Sequence, residues 1–267
     1  MSWLRQLGST GIAVSALGLG TVKLGRNEGV KYPEGFRIPD DREAIALLAR
    51  ASELGINLID TAPAYGTSEQ RLGSLLKGQR DDWVICSKVG EEFEHGTSRH
   101  DFTPEHTRLS VERSLRRLGT DVIDIVLVHS DGNDLAIIEE MGALQALAEL
   151  KARGLIRAFG MSTKTVAGGQ AAARATDVVM LTYNLAQRDE SAVLDTCREL
   201  GRGALIKKAL ASGHLAQAKD PVQASMDLVF GHPGTTSAII GTINLAHLED
   251  NIAAARRALS SPHPGSG

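Results

Sequence analysis

Three apolar runs in this 267-residue sequence each end in an ionisable residue: Asn57-Leu58-Ile59-Asp60, Val84-Ile85-Cys86-Ser87-Lys88 and Ile125-Val126-Leu127-Val128-His129. Tyr65 follows Asp60 through Thr61-Ala62-Pro63-Ala64, a short enough span for its phenol to fold back over the end of the same run. A phenol with a pKa of about 10 is a sluggish proton donor near neutrality, and general acid catalysis favours a pKa near the working pH. A lysine ammonium about 4 Å away is worth about 4 kcal/mol at an effective dielectric of about 20, whereas two pKa units require only about 2.7 kcal/mol. Lys88 is therefore expected to lower the Tyr65 pKa, and Asp60 to hold Lys88 charged and oriented. His129 would hydrogen-bond a carbonyl oxygen or relay the proton. None of these roles needs a metal, and the histidines are scattered without metal-ligand spacing.

For these residues to meet, the runs that carry them must be strands whose C-terminal ends share one mouth. The sequence offers eight short apolar runs, at residues 16–19, 57–59, 83–86, 122–128, 155–159, 178–181, 204–206 and 237–240. Stretches with 3.6-residue periodicity lie among them at 42–54, 104–118, 136–153 and 189–200, and another follows the last run at 245–259. Continuous apolar strands alternating with amphipathic helices imply a parallel sheet covered by helices, and eight such units favour closure into a (β/α)8 TIM barrel over an open α/β sheet. Gly55, Gly119, Gly154 and Gly201 mark helix stops, and Thr103-Pro104 marks a helix start. Residues 3–14, centred on Gly8-Ser9-Thr10-Gly11, read as an N-terminal β-hairpin. One domain is expected over residues 1–259, with a disordered Ser-, Pro- and Gly-rich tail at 260–267.

Two connections, residues 20–40 and 89–102, are too long for plain βα turns. Both leave C-terminal strand ends, the face on which such barrels carry their chemistry. They are expected to be lids or substrate walls bearing Tyr32, Phe36, Phe93 and Phe102.

Composition narrows the function classes. Hydrophobic residues are 42% and charged residues 23%, as in an ordinary globular protein. The net charge of −3, without a long basic run, argues against nucleic acid as a partner. No continuous apolar stretch reaches about 18 residues and the N-terminus lacks a secretory pattern, so the reading is cytoplasmic, with no membrane partner. Cys86 and Cys197 have no CxxC partner and read as buried thiols of a reduced compartment. Gly18-Leu19-Gly20 opens like a dinucleotide fingerprint, but Lys23 stands where the third glycine belongs. Residues 73–78 begin like a phosphate-binding loop, but Gln79 replaces the lysine and the segment ends a helix.

The segments 57–66, Ser87-Lys88-Val89 and Val128-His129 together resemble the aldo-keto reductases, in whose Asp, Tyr, Lys, His tetrad the order and spacing match. The likeness runs essentially the whole chain. It implies hydride transfer between NADPH, or NADH, and a small-molecule aldehyde or ketone, with Tyr65 as general acid. By the same resemblance Gly20 and Thr21 lie near the nicotinamide, Asp60 near its ribose, and Ser162 at the carboxamide. Lys207, Lys208, Ser212, Gly213, Gly241, Thr242 and Asn244 fall where barrels of this kind bind phosphate, and His247, Asp250 and Asn251 at the adenine end. Thr163, Met180 and the Lys207-Lys208 pair depart from the family pattern, and the aromatic that stacks on the nicotinamide is missing. His247 is the nearest basic residue for a 2′-phosphate. Competing readings are an NAD-dependent sugar or alcohol dehydrogenase, a nicotinamide-binding regulatory subunit with slow turnover, and a metal-dependent hydrolase using Asp60 and His129.

Overall fold

The computed structural model describes residues 2–30, 32, 35–213 and 219–261. The chain opens with strands β1 (Leu4–Gln6) and β2 (Ala13–Ser15), which pair as an antiparallel hairpin. Strand β3 (Leu17–Gly20) leads into a short helix α1 (Val22–Gly25) and then α2 (Asp41–Glu53). Next come β4 (Leu58–Asp60), a 3-10 turn at Pro63–Tyr65, α3 (Ser68–Leu75) and β5 (Val84–Val89). A second hairpin, β6 (Glu91–Glu94) and β7 (Thr97–His100), precedes α4 (Pro104–Leu118) and β8 (Ile123–His129). Helices α5 (Asp134–Glu139) and α6 (Ala143–Ala152) lead to β9 (Ile156–Ser162), α7 (Val166–Ala175), β10 (Val178–Thr182) and α8 (Ser191–Glu199). Strand β11 (Gly203–Lys207), α9 (Pro221–Gly231), β12 (Ser237–Ile240) and α10 (Leu245–Ser260) complete the fold.

Eight strands close a barrel in the order β10-β11-β12-β3-β4-β5-β8-β9, with its strand pairs parallel. Each of the eight apolar runs of the sequence falls on one of these strands, so the (β/α)8 expectation is met, N-terminal hairpin included. That hairpin is tied to the barrel by Asn57, whose side chain accepts from Ser15 N at 2.7 Å and donates to Ala13 O at 3.0 Å.

Side chains alternate across the sheet and feed two cores. Leu58, Val84, Cys86, Ile125, Leu127, Ala158, Val178, Met180 and Leu205 pack inside the barrel with Leu7, Ile12 and Val14 of the hairpin region. Ile59, Ile85, Val126, Val128, Val179 and Ile206 face the helices. Because the period is two, Asp60, Lys88, His129, Ser162 and Lys207 carry the parity of the inward set and stand at its C-terminal edge.

Three local expectations change. The periodic stretch 136–153 is two helices, because Gly142 turns into the left-handed region (φ 81°) between α5 and α6. Residues 89–102 fold mostly as the β6–β7 hairpin, closed by a two-residue loop at His95 (φ 50°) and Gly96 (φ 80°), as a type I′ turn requires. Residues 20–40 include α1. The expected disordered tail falls chiefly on residues 262–267, outside the described residues; Ser260 ends α10 and Ser261 caps it. Among the described residues no helix is long and apolar enough to cross a membrane.

Candidate active site

Asp60 leaves β4 buried inside the mouth, and the chain then turns through Ala62-Pro63 to bring Tyr65 back over it. Two glycines permit this turn. Gly66 has φ 63°, and a Cβ there would meet Gly25 O at 2.2 Å; a Cβ on Gly25 would meet Tyr65 O at 2.3 Å. The end of α1 thus packs its backbone directly against the tyrosine turn. Arg26 reinforces the contact by donating to Ala64 O at 3.0 Å. Thr21 does not reach the cavity but supports its wall, its hydroxyl donating to Asp60 O at 2.9 Å.

Lys88 is 2% exposed and Asp60 4%. The Lys88 Nζ donates to Asp60 Oδ1 at 2.5 Å, to Thr61 O at 2.9 Å and to Tyr65 Oη at 3.2 Å. The Tyr65 hydroxyl also lies 3.4 Å from Asp60 Oδ2. Burial pulls the lysine's pKa down, but Asp60 and Tyr65 outweigh it and hold the ammonium charged above its usual range. Tyr65 departs from the expectation of a lowered phenol. Burial raises its pKa, and although Lys88 pulls it down, Asp60 pushes the same way as burial and the net shift is upward. The Tyr65 and His129 rings meet edge to face, with centroids 6.4 Å apart.

These four residues line a cavity of about 580 Å³ that runs from β4 and β5 past β9 to the loops after β11 and β12. Gly20, Ser162, Lys207, Lys208, Ser212, Gly213, Gly241, Thr242, His247, Asp250 and Asn251 line it as well, as does Met180. Asn244 does not. It caps α10, its side chain accepting from Ala246 N and His247 N. Lys207 donates to Ser162 Oγ at 2.9 Å and to Thr163 O at 2.6 Å. Burial brings Lys207 down to about 8, against the pull of Glu190 and with help from Lys208 and Lys164. Thr163 lies behind the wall, fully buried.

Of the four aromatics on the long connections, only Tyr32 lines the cavity. It stacks under Lys23, whose Nζ is 4.0 Å from the ring centroid, and Phe36 meets it edge-on. Phe93 carries the Arg26 guanidinium, and Phe102 is buried in the outer core against Gly90. Neither forms a cavity wall.

The sequence reading also missed two carboxylates. Asp134 is buried and accepts from Ser130 Oγ at 2.5 Å, Lys164 N at 3.0 Å, and Thr165 N and Oγ1 at 2.8 and 2.7 Å, so it ties together the loops after β8 and β9 that carry His129 and Ser162. Glu91 of β6 places Oε2 2.7 Å from His129 Nδ1. Cys86 and Cys197 are buried and free. Among the described residues, no group of three His, Cys, Asp or Glu side chains gathers to hold a metal ion.

The cavity is narrow-walled at two glycines and carries cationic side chains. Its floor is kept clear by glycine, since a Cβ on Gly241 would come within 2.8 Å of Tyr32 Oη and one on Gly20 within 3.0 Å of Ile239. Lys23, Lys207 and Lys208 supply cationic groups along it.

Comparison with known proteins gives a consistent picture. Residues 16–228 match the Aldo/keto reductase family. Pyridoxine 4-dehydrogenase of Escherichia coli is 29% identical over 268 residues, covering 93% of this chain and 92% of that one. D-threo-aldose 1-dehydrogenase of a Pseudomonas species is 29% identical over 239 residues, covering 79% and 70%. A solved Pseudomonas aeruginosa structure, described as a candidate aldo-keto reductase, has TM-score 0.90 at 57% identity, over 96% of this chain and 95% of that one. The holo form of an aldo-keto reductase from Bacillus halodurans has TM-score 0.80 at 25% identity, over 97% and 95%.

Proposed function

The chain belongs to the aldo/keto reductase family of oxidoreductases, and on that premise we propose that it reduces a small aldehyde or ketone to the alcohol, with NADPH as coenzyme and NADH as the alternative. The observation that carries this reading is the contact of the Lys88 ammonium with both Asp60 and the Tyr65 hydroxyl inside the cavity. Bound nicotinamide supplies the hydride. Tyr65 then gives its phenolic proton to the carbonyl oxygen, and the phenolate left behind is stabilised by the ammonium already in contact with it. Asp60 keeps that ammonium charged and aimed. His129, whose ring meets that of Tyr65 edge to face, is assigned to the carbonyl oxygen.

Ser162 and Lys207 are assigned to the carboxamide, Lys208, Ser212, Gly213 and Thr242 to the phosphates, and His247, Asp250 and Asn251 to the adenosine end. Gly20 and Gly241 leave room for the chain of the coenzyme, while Thr21 and Asn244 act by supporting Asp60 and α10. The oxidative direction, as a sugar or alcohol dehydrogenase, is the second reading; it is favoured by relatives that are named as dehydrogenases.

The test follows nicotinamide absorbance with NADPH and NADH against a panel of aldehydes, ketones and sugars. Tyr65→Phe is expected to nearly abolish turnover while coenzyme binding, read by fluorescence, survives. Undiminished turnover in that variant removes Tyr65 from the mechanism.

A further inference from the structure

Adjacent acidic residues on a strand point to opposite faces, and Glu91 and Glu92 on β6 use this to do different things. Glu92 ties the hairpin to α4, pairing with Arg113 and with His106 Nε2 at 3.2 Å. Glu91 faces the other way, over the barrel mouth. One of its carboxylate oxygens lies 2.7 Å from His129 Nδ1, a contact off the line of a straight N–H···O bond. The other accepts from Ser98 Oγ at 2.6 Å. Ser98 shares this face because Glu91 is paired with His100 in the hairpin register and Ser98 is its diagonal neighbour. One end of the carboxylate is therefore held by its own hairpin while the other lies against the imidazole.

We propose that Glu91 is a positioning residue for the reaction: its carboxylate claims the Nδ1 side of His129, keeps a proton there, and leaves Nε2 as the nitrogen that meets the substrate oxygen. This rests on the carbonyl-reductase reading for the word substrate, but not for the state of the imidazole. A carbonyl oxygen offers only lone pairs, so His129 helps it only by donating from Nε2; with Nδ1 holding its proton that donation requires the doubly protonated ring, whereas a neutral ring could donate only as the Nε2–H tautomer. The charged and titratable groups around that ring are Lys88 on β5, Lys207 on β11, Tyr65 on its turn and Glu91 on β6, with His100 beyond Glu91. Burial, the largest effect, acts with Lys88 and Lys207 to drive the proton off His129, Glu91 pulls to hold it on, and the net shift is downward. Burial would raise the pKa of Glu91, yet the imidazole and Ser98 bring it down to about 2. The hairpin after β5 is thus the means by which a carboxylate reaches a ring that also feels Lys88 and Lys207.

The experiment is an NMR titration of the enzyme labelled with nitrogen-15 histidine, the His129 signals being identified by their loss in His129→Asn. Wild type is compared with Glu91→Gln, Glu91→Ala and Ser98→Ala. In Glu91→Gln an amide oxygen can still face Nδ1 but the charge is gone, so proton affinity is expected to fall about tenfold or more while the Nδ1–H tautomer of the neutral ring persists. In Glu91→Ala both are lost, and Ser98→Ala lies between wild type and Gln. The limb of the kcat/KM–pH profile that follows His129 should move to lower pH in parallel. A His129 titration and tautomer unchanged in both Glu91 variants overturn the proposal. Because the titration needs no turnover, it stands apart from Tyr65→Phe: failure of the latter with shifted His129 signals would reject the reaction and keep the pair.

Discussion

Replacing Lys88 by Met would remove the charge on which the Asp60 carboxylate depends while nearly preserving side-chain volume. Lys88 and Asp60 are 2% and 4% exposed, so water does not replace the lost partner. Thr61 O loses its donor at 2.9 Å and Tyr65 Oη its contact at 3.2 Å. Removing one member of a buried ion pair typically costs about 3–5 kcal/mol, because the other charge is left uncompensated. For a domain of this size about 1 kcal/mol shifts Tm by about 2–4 °C, which puts Lys88→Met roughly 10 °C below wild type. Asp60→Asn/Lys88→Met removes both charges, so its loss should fall short of the sum of the single losses by about 2–3 kcal/mol. Urea midpoints at pH 7 for the four proteins of the cycle measure this directly. A single-mutant loss under about 1 kcal/mol, or additive losses, would show that the pair is not the electrostatic unit described above.

Two further outcomes test the coenzyme bed. His247→Arg should improve NADPH relative to NADH in Kd ratio, by about tenfold for one added charge-assisted contact; an unchanged ratio places recognition of the 2′-phosphate elsewhere. Lys207, brought down chiefly by burial to about 8 from 10.5, binds its proton less tightly in the folded than in the unfolded chain. Between about pH 8 and 10.5 the unfolded chain therefore holds the extra proton, and the stability this group contributes rises with pH across that window. Lys207→Met escapes the cost of the buried charge, so its Tm relative to wild type should be most favourable below pH 8 and should decline toward pH 10. A flat difference would mean that Lys207 titrates normally.

The barrel was legible because parallel strands buried on both faces leave continuous apolar runs, and each of the eight runs met its strand. The same parity placed Asp60, Lys88 and His129 on one rim, since each ends a run in the inward register. The β6–β7 hairpin was not legible as strand: Glu-Glu-Phe-Glu and Thr-Ser-Arg-His carry little apolar alternation, and their pairing is fixed by Glu92 against α4 and by the turn. Its one local signal was His95-Gly96, a two-residue pair suited to positive φ. Glu91 stayed hidden for the same reason, because its partner lies 38 positions away on β8. Gly142, at the break between α5 and α6, sits inside a stretch whose periodicity continues on either side, so 136–153 read as one helix.

The largest change concerns the phenol. Sequence reasoning compared one favourable Coulomb term with a two-unit shift and let Lys88 win. In the folded site Lys88 is shared, 2.5 Å from Asp60 and 3.2 Å from Tyr65, and the nearer carboxylate absorbs much of its field while repelling a phenolate itself. Burial adds to the Asp60 effect, so Tyr65 keeps its proton throughout the neutral range. That suits a donor, because the acid form is fully populated and only the act of transfer must be assisted. It also means that Tyr65 does not set the pH dependence of the free enzyme between about pH 6 and 9. Among the cavity residues, burial and two lysines take the His129 pKa below the ordinary imidazole value against the pull of Glu91, and burial brings Lys207 to about 8. The site thus divides its labour: the Asp60, Lys88 and Tyr65 cluster holds a proton firmly, while His129 on the neighbouring strand β8 and Lys207 on β11 carry protons that burial loosens.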